Sequence, residues 1–146
     1  MRLAFDWDGT LVHHGGEEPD YEDPASLKRT TQPIPKAMWC AKQLIRQGHD
    51  LSVVTGRTHK VRKETLRQIR TFLTPYFWEE NLYTQEAFTG YDDLRRYKAR
   101  VLNEIQPAYY VGDHEAVQLA ARDALIPFHH ASVWPGQTLI ALAVMA

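Results

Sequence analysis

The chain has 146 residues, and its 17 lysines and arginines nearly balance its 18 aspartates and glutamates, for a formal net charge of −1. Hydrophobic residues make up 44% of the chain, enough for the core of one domain, so we expect a single domain over residues 1–146. This charge excludes a basic-tail nucleic-acid binder, and the single cysteine, Cys40, excludes an internal disulfide framework. The sequence shows neither a signal-peptide pattern nor the roughly 20 apolar residues that cross a bilayer. It therefore predicts a cytoplasmic protein without a membrane partner.

The first predicted element is a short buried strand, Leu3–Phe5, which ends at the polar sequence DWDGT, Asp6–Thr10. Residues 13–35 are polar and rich in proline and glycine, and we predict a long surface loop or flap there, with room for a hairpin. A helix follows from Pro35, where apolar residues recur at spacings of three and four, and Gly48 ends it.

The second half of the chain alternates between strand and helix patterns. The predicted strands are Leu51–Val54, Leu82–Thr84, Ala108–Val111 and Ile126–Val133. The predicted helices are His59–Leu73, a helix from Asp92 or Asp93 to Ile105, Ala116–Ala124 and a terminal helix Gly136–Ala146. This order predicts a three-layer α/β fold in which a mostly parallel sheet is flanked by helices.

Polar residues stand where three of these strands end. Asp6 and Asp8 follow the first strand, Thr55 follows the second, and Asp113 follows the strand that ends at Val111. In an open parallel sheet, ligands bind outside the carboxyl ends of the strands. We therefore expect these side chains to meet in one crevice.

The same residues carry a resemblance to the haloacid dehalogenase-like superfamily. The sequence FDWDGTLV, Phe5–Val12, resembles the first motif of that family, and VVTGRT, Val53–Thr58, is similar to the second. YVGD, Tyr110–Asp113, resembles the start of the fourth motif, and Lys98 stands where the lysine of the third is expected. The resemblance implies a Rossmann-like fold. It is of the capless type, because neither the segment after the first motif nor the segment between the second and fourth motifs is long enough for a folded cap domain.

The resemblance also implies a reaction, the Mg²⁺-dependent hydrolysis of phosphomonoesters. Asp6 would attack phosphorus and become an aspartyl-phosphate, while Asp8 would protonate the leaving oxygen and later take a proton from water. Lys98 would neutralise charge in the transition state. Mg²⁺ would be held by Asp6, by the main-chain carbonyl of Asp8 and by Asp113.

The resemblance also implies which residues of these motifs bind the substrate. The Thr55 hydroxyl, counted with the catalytic residues, and the Gly56 amide could hold phosphoryl oxygens. The other substrate-binding candidates are Gly9, Thr10 and Arg57.

The chain departs from the family pattern after Asp113. Many members carry a second acid directly after this aspartate or four to five residues later, where this chain has His114, Val117 and Gln118. Glu115 is the nearest carboxylate, and it could act through a water or face solvent. Arg95 and Lys60 are alternatives to Lys98.

The expected partner is a phosphorylated substrate. An open site favours large phosphoesters, which suggests nucleic-acid ends or nucleotides. A basic stripe on the helix after His59, made of Lys60, Lys63, Arg67 and Arg70, is either a track for a phosphate backbone or a solvated face. The alternatives are a sugar-phosphate phosphatase closed by oligomerisation, a phosphotransferase, and a catalytically silent binding protein. The sequence leaves the oligomeric state open.

Overall fold

The computed structural model describes residues 1–138, which contain a five-stranded sheet, flanking helices and a small two-stranded ribbon. The strands are β1 (Arg2–Phe5), β2 (Val12–His13), β3 (Gln32–Pro33), β4 (Asp50–Thr58), β5 (Leu82–Gln85), β6 (Tyr110–Gly112) and β7 (Phe128–His130). The helices are α1 (Pro24–Thr30), α2 (Pro35–Arg46), α3 (Arg62–Phe72), α4 (Tyr91–Ile105) and α5 (Glu115–Asp123).

The five strands of the main sheet pair in parallel, in the order β5-β4-β1-β6-β7. The first strand is central, and its last residue, Phe5, lies opposite Val53 of β4 and Val111 of β6. The carboxyl ends of these three strands therefore meet at one edge of the sheet. The predicted α/β Rossmann-like fold with a parallel sheet is confirmed.

Alternating side chains of β1 divide the core into two halves, because successive residues of a strand point to opposite faces. Phe5 is fully buried in the cluster that includes residues of α2 and α3. Ala4 is fully buried in the cluster that includes residues of α4 and α5. The sheet is thus the middle of three layers. Removing a ring as buried as that of Phe5 typically costs about 3–5 kcal/mol.

The segment 13–35 is more ordered than the sequence predicts. Its ends pair as the antiparallel strands β2 and β3, and α1 lies between them. The carboxylate of Asp23 accepts a hydrogen bond from the Ala25 N–H at 3.0 Å, and Pro24 occupies the first helical turn. Leu27 of this helix is fully buried. The prediction of a loop was therefore wrong over α1, because the polar composition masked an Asp-Pro helix start.

The other predicted elements are present with shifted ends. The helix predicted from His59 begins with a 3₁₀ turn, His59–Val61, before α3. The last strand covers only Phe128–His130, because its pairing with β6 is confined to those residues. Residues 134–138 are helical, and the rest of the predicted terminal helix lies outside the described residues. None of the helices within residues 1–138 is long and apolar enough to cross a membrane.

Candidate active site

Asp6 lies at the carboxyl end of β1, buried and held by two donors. Its Oδ1 accepts a hydrogen bond from the Trp7 N–H at 2.8 Å and lies 3.1 Å from Lys98 Nζ. Lys98, from α4, is 1% exposed and also donates to the Tyr110 hydroxyl at 3.0 Å. That hydroxyl donates to the Val54 carbonyl at 2.6 Å. A fixed network across α4, β6 and β4 thus positions the ammonium group on Asp6.

The pKa of Asp6 is determined mainly by its burial and by the buried Lys98 ammonium. Burial raises the pKa of Asp6, and the nearby charges of Asp8 and Asp113 raise it further. The Lys98 ammonium and the Trp7 N–H act in the opposite direction but do not cancel the rise in pKa. The ionised, nucleophilic form of Asp6 therefore depends on Lys98.

Asp8, two residues further on, is held in a different way. Its carboxylate receives both arms of the Arg57 guanidinium, Nε at 2.9 Å and Nη2 at 2.7 Å, and lies 2.8 Å from His14 Nε2. Burial alone would raise the pKa of Asp8, but Arg57 and the hydrogen bond with His14 outweigh it and hold the pKa well below its ordinary value. Asp8 is therefore ionised in this arrangement.

Arg57 is buried beneath the site, and its guanidinium is satisfied from several sides. Nη1 donates to Thr65 Oγ1 at 3.2 Å and to Gln68 Oε1 at 2.9 Å, both on α3. The side chain is fully shielded from solvent. The sequence assigns Arg57 to substrate binding, and the structure gives it a contact that orients Asp8.

His14 is a site residue that sequence reasoning did not select. It follows β2, its Nε2 meets Asp8, and its Nδ1 lies 3.0 Å from Thr30 Oγ1 at the end of α1. The only signal for it in the sequence is its position six residues after Asp8. A histidine in a polar segment gives no indication of where its ring points.

Asp113 follows β6 and brings a third aspartate carboxylate to the cleft that contains Asp6 and Asp8. Burial raises the pKa of Asp113, and within residues 1–138 no cation forms an ion pair with it. The chain passes close by at Gly9, where φ is +75° and an added Cβ would collide with the Asp113 carboxylate. Gly9 thus permits a close approach that a larger residue would block.

The carboxylates of Asp6 and Asp113 fit a Mg²⁺ ion. Mg²⁺ usually binds through one or two carboxylates, and waters and phosphate oxygens complete its shell. A third acid is not required, and residues 1–138 contain no cluster of three or more His, Cys, Asp or Glu side chains able to hold a metal. Arg57 and His14 engage the side chain of Asp8, which agrees with a third contact made through its main-chain carbonyl.

The remaining predicted residues divide between the cleft and its surroundings. Gly56, on β4, lines the cleft. Thr55 is fully buried and its Oγ1 accepts from the Arg57 N–H at 3.1 Å, and Thr10 is also buried. Among the described residues, neither threonine lines the cleft as the molecule stands. Their assigned contacts with phosphoryl oxygens remain predictions.

The structure shows where Val117, Glu115 and Arg95 lie relative to the cleft. Val117 occupies the cleft wall at one of the places where the family pattern has an acid, and its side chain lies against Gly112. Glu115 is exposed in the first turn of α5 and is not part of the cleft lining. Arg95, an alternative to Lys98, is instead paired with Asp123 at 2.6 Å.

The cleft has a volume of about 530 Å³ and is strongly acidic. Besides Asp6, Asp8 and Asp113, its lining includes Glu18 and Glu22 from the segment after β2. Its cations, Lys98 and Arg57, are already paired with Asp6 and Asp8. A phosphate dianion that enters therefore requires an additional positive charge, which Mg²⁺ can provide.

The basic stripe is only partly available to a ligand. Arg67 forms two hydrogen bonds with Glu64, at 2.8 and 2.7 Å, and Arg70 donates to the Phe77 carbonyl. Arg62, beside the stripe, donates to the Leu82 carbonyl at 2.8 Å. Lys60 and Lys63 are exposed. These contacts support the interpretation of a solvated helix face over that of a continuous phosphate track.

Comparisons with known proteins bear on the fold. No family model matches the chain. No curated protein matches it either. Solved structures do match: a chain of the Pnkp1/Rnl/Hen1 RNA repair complex gives a TM-score of 0.69 at 18% identity, covering 88% of this chain and 41% of that one. This fold also occurs in an RNA repair complex.

Two further solved structures are similar to this chain in fold. A second structure of the Pnkp1/Rnl/Hen1 complex gives a TM-score of 0.68 at 18% identity and covers 88% of this chain and 45% of that one. DsGPDH of Dunaliella salina gives 0.56 at 14% identity, with 83% of this chain and 21% of that one covered. The chain thus spans less than half the length of each of these three chains. At such identities the shared property is the fold.

Proposed function

We propose that this chain is a Mg²⁺-dependent phosphomonoester hydrolase of the haloacid dehalogenase-like type, which works through an aspartyl-phosphate on Asp6. The observation that carries the proposal is the buried contact between Asp6 and Lys98 beside a second carboxylate, Asp113. A protein gains little stability from burying such a pair, whereas a nucleophile and a phosphate-neutralising cation need this arrangement. The shared fold supports the same conclusion.

In the first step, an oxygen of Asp6 forms a bond to phosphorus and the bond from phosphorus to the ester oxygen breaks. The Trp7 N–H and Lys98 both contact Oδ1, and no hydrogen bond within residues 1–138 engages Oδ2, so we assign the attack to Oδ2. Lys98 then also neutralises charge that builds up on the transferring phosphoryl group. Mg²⁺, held by Asp6 and Asp113, would supply positive charge that offsets the repulsion of the phosphate dianion by these carboxylates.

In the second step, water attacks phosphorus, the acyl phosphate bond breaks, and a proton of the water passes to Asp8. The ionised state of Asp8 suits this role as a base. To protonate the leaving oxygen in the first step, Asp8 must first carry a proton. Its contacts with Arg57 and His14 must therefore weaken, without being lost, when the substrate binds.

The proposed substrates are phosphates on nucleic-acid ends or nucleotides. The RNA repair complex that shares this fold supports nucleic-acid ends. A specific observation favours a second candidate, a small-metabolite phosphate: Glu18 and Glu22 line the cleft, and they oppose additional phosphates. A compact monoester meets less repulsion there than a polyanion.

The test is phosphate release with and without Mg²⁺ from 3′- and 5′-phosphorylated oligonucleotides, nucleotides, sugar phosphates and an aryl phosphate. Wild-type protein is compared with Asp6→Asn and with Asp50→Asn, a control at the opposite end of the sheet. We expect Mg²⁺-dependent release from the wild type and the control and none from Asp6→Asn. Analysis of the products in the presence of a competing alcohol distinguishes hydrolysis from phosphoryl transfer.

Two results would contradict the proposal. Release that persists in Asp6→Asn would show that Asp6 is not the nucleophile. If folded wild-type protein released no phosphate from any ester, the result would favour the binding-only alternative. In that alternative, Val117 has replaced an acid of the metal site.

A further inference from the structure

Three aromatic rings, from Phe88, Tyr91 and His114, form an aromatic platform in the wall of the active-site cleft. The rings of Tyr91 and His114 are stacked, with centroids 4.7 Å apart and an interplanar angle of 15°. Phe88 meets Tyr91 nearly at right angles, at 5.4 Å. Phe88 is 50% exposed and Tyr91 58% exposed, so the platform offers ring surface that the core does not use.

Local contacts hold the platform in place without a ligand. The Nδ1 of His114 accepts a hydrogen bond from the Ala116 N–H at 3.0 Å, which fixes this ring at the start of α5. Gly90, with φ of +110°, stands directly before α4, and Thr89 donates to Asp93 at 2.6 Å. A surface that is ordered in advance loses little entropy when a ligand binds to it.

The platform lies in the same cleft as the reacting groups. Tyr91 begins α4, and Lys98 is seven residues further along the same helix, a spacing that puts both on one face. At the rise of an α-helix their backbones are roughly 10 Å apart along the axis. Because both residues line the cleft, a phosphoester bound at Asp6 can extend towards the platform.

The charges of the cleft restrict what the platform can bind. The residues that line the cleft include Glu18 and Glu22. The cations of the cleft, Lys98 and Arg57, are paired with Asp6 and Asp8. The part of the substrate beyond the phosphate must therefore lack further negative charge near these acids. A planar, uncharged ring satisfies this condition, and aromatic side chains stack on such rings irrespective of sequence.

We propose that the aromatic platform binds the nucleobase of a nucleoside monophosphate ester whose phosphate lies at Asp6. This inference rests on the proposed function, since it names the substrate class of the same site. Base stacking on an aromatic side chain contributes about 1–3 kcal/mol, so a base should raise kcat/KM by roughly 5- to 150-fold.

The test compares nucleoside 5′-monophosphates with ribose 5-phosphate, which carries the same phosphate and sugar without a base. With Mg²⁺ present, we expect the wild type to prefer the nucleotide by roughly 5-fold or more in kcat/KM. Tyr91→Ala and Phe88→Ala should bring this ratio close to one. Tyr76→Ala, a matched tyrosine that is 85% exposed outside the cleft lining, should keep the ratio. Equal kcat/KM for both esters in the wild type would overturn the inference.

Binding separates this inference from the proposed function. Calorimetry on Asp6→Asn with Mg²⁺ should show tighter binding of the nucleoside monophosphate than of ribose 5-phosphate, and Tyr91→Ala in that background should remove the difference. If no ester is hydrolysed but the difference in binding is found, the base-binding platform is supported and the proposed function fails. If hydrolysis requires Mg²⁺ but the base has no effect on rate or binding, the proposed function is supported and the platform fails.

The base can come from a free nucleotide or from a nucleic-acid end, and one further comparison distinguishes these sources. A mononucleotide hydrolysed faster than a phosphorylated oligonucleotide identifies the free nucleotide, which the acidic lining favours. The reverse order, with a steep loss of rate at higher salt, identifies the nucleic-acid end.

Discussion

The Lys98→Met substitution tests the electrostatic basis of the site without any substrate. Lys98 is almost fully buried and pairs with Asp6 at 3.1 Å, and methionine keeps much of its volume. Removing one partner of a buried pair leaves an uncompensated charge, which typically costs about 3–5 kcal/mol. That is a large share of the roughly 5–15 kcal/mol that stabilises a domain.

The pH dependence of the Lys98→Met variant has a defined sign. Burial already raises the pKa of Asp6, and loss of the Lys98 ammonium should raise it further. The folded state then binds a proton more tightly than the unfolded state. Stability should therefore fall as pH rises from about 4 through the pKa of folded Asp6. The destabilisation should be smaller at pH 5 than at pH 7.

Urea denaturation of three variants at both pH values provides the measurement. Lys98→Met combined with Asp6→Asn should recover much of the loss, because neither charge is then left alone. Arg96→Met is the control on the same helix: its side chain is 75% exposed and its pair with Asp93 should contribute at most about 1 kcal/mol. If Lys98→Met is as stable as the wild type at pH 7, or if the double variant is no more stable than the single one, the pairing argument is wrong.

Two other substitutions test the neighbouring contacts. Gly9→Ala should cost about 1–2 kcal/mol for its left-handed backbone and, by displacing Asp113, weaken the activation of phosphate release by Mg²⁺. Gly16→Ala, at an open position, serves as its control, and unchanged activation in Gly9→Ala would remove Asp113 from the metal site. Arg57→Lys keeps the charge but loses the two-armed contact with Asp8, so kcat should fall by roughly 100-fold with little change in KM. A raised KM with unchanged kcat would instead support the substrate-binding role that the sequence suggests.

The fold and the gathering of Asp6, Asp8 and Asp113 could be predicted from local patterns. Each strand is a short apolar run that ends abruptly in a polar residue, and parallel pairing brings such ends to one edge. The prediction of a loop over residues 13–35 was wrong at α1 for a local reason. The helix starts at Asp23-Pro24, within a segment whose composition is typical of a loop.

The contacts of long side chains could not be predicted in the same way. Arg57 comes directly after Thr55 and Gly56, the residues of β4 that are predicted to bind phosphate. Its guanidinium nevertheless points towards Asp8 and α3. His14 reaches Asp8 only because α1 and β2 bring it there. The stacking of Tyr91 and His114 joins the first residue of α4 to the residue that precedes α5, so no periodicity in the sequence indicates it.

The central claim, that Asp6 is a metal-dependent nucleophile, can be tested without knowing the substrate. Beryllium trifluoride adds to a carboxylate as a mimic of an acyl phosphate, and fluorine NMR detects the adduct. We predict a bound fluorine signal that requires Mg²⁺ in the wild type and in Asp50→Asn and that is absent in Asp6→Asn. A signal that persists in Asp6→Asn, or that forms equally well without Mg²⁺, would contradict the account.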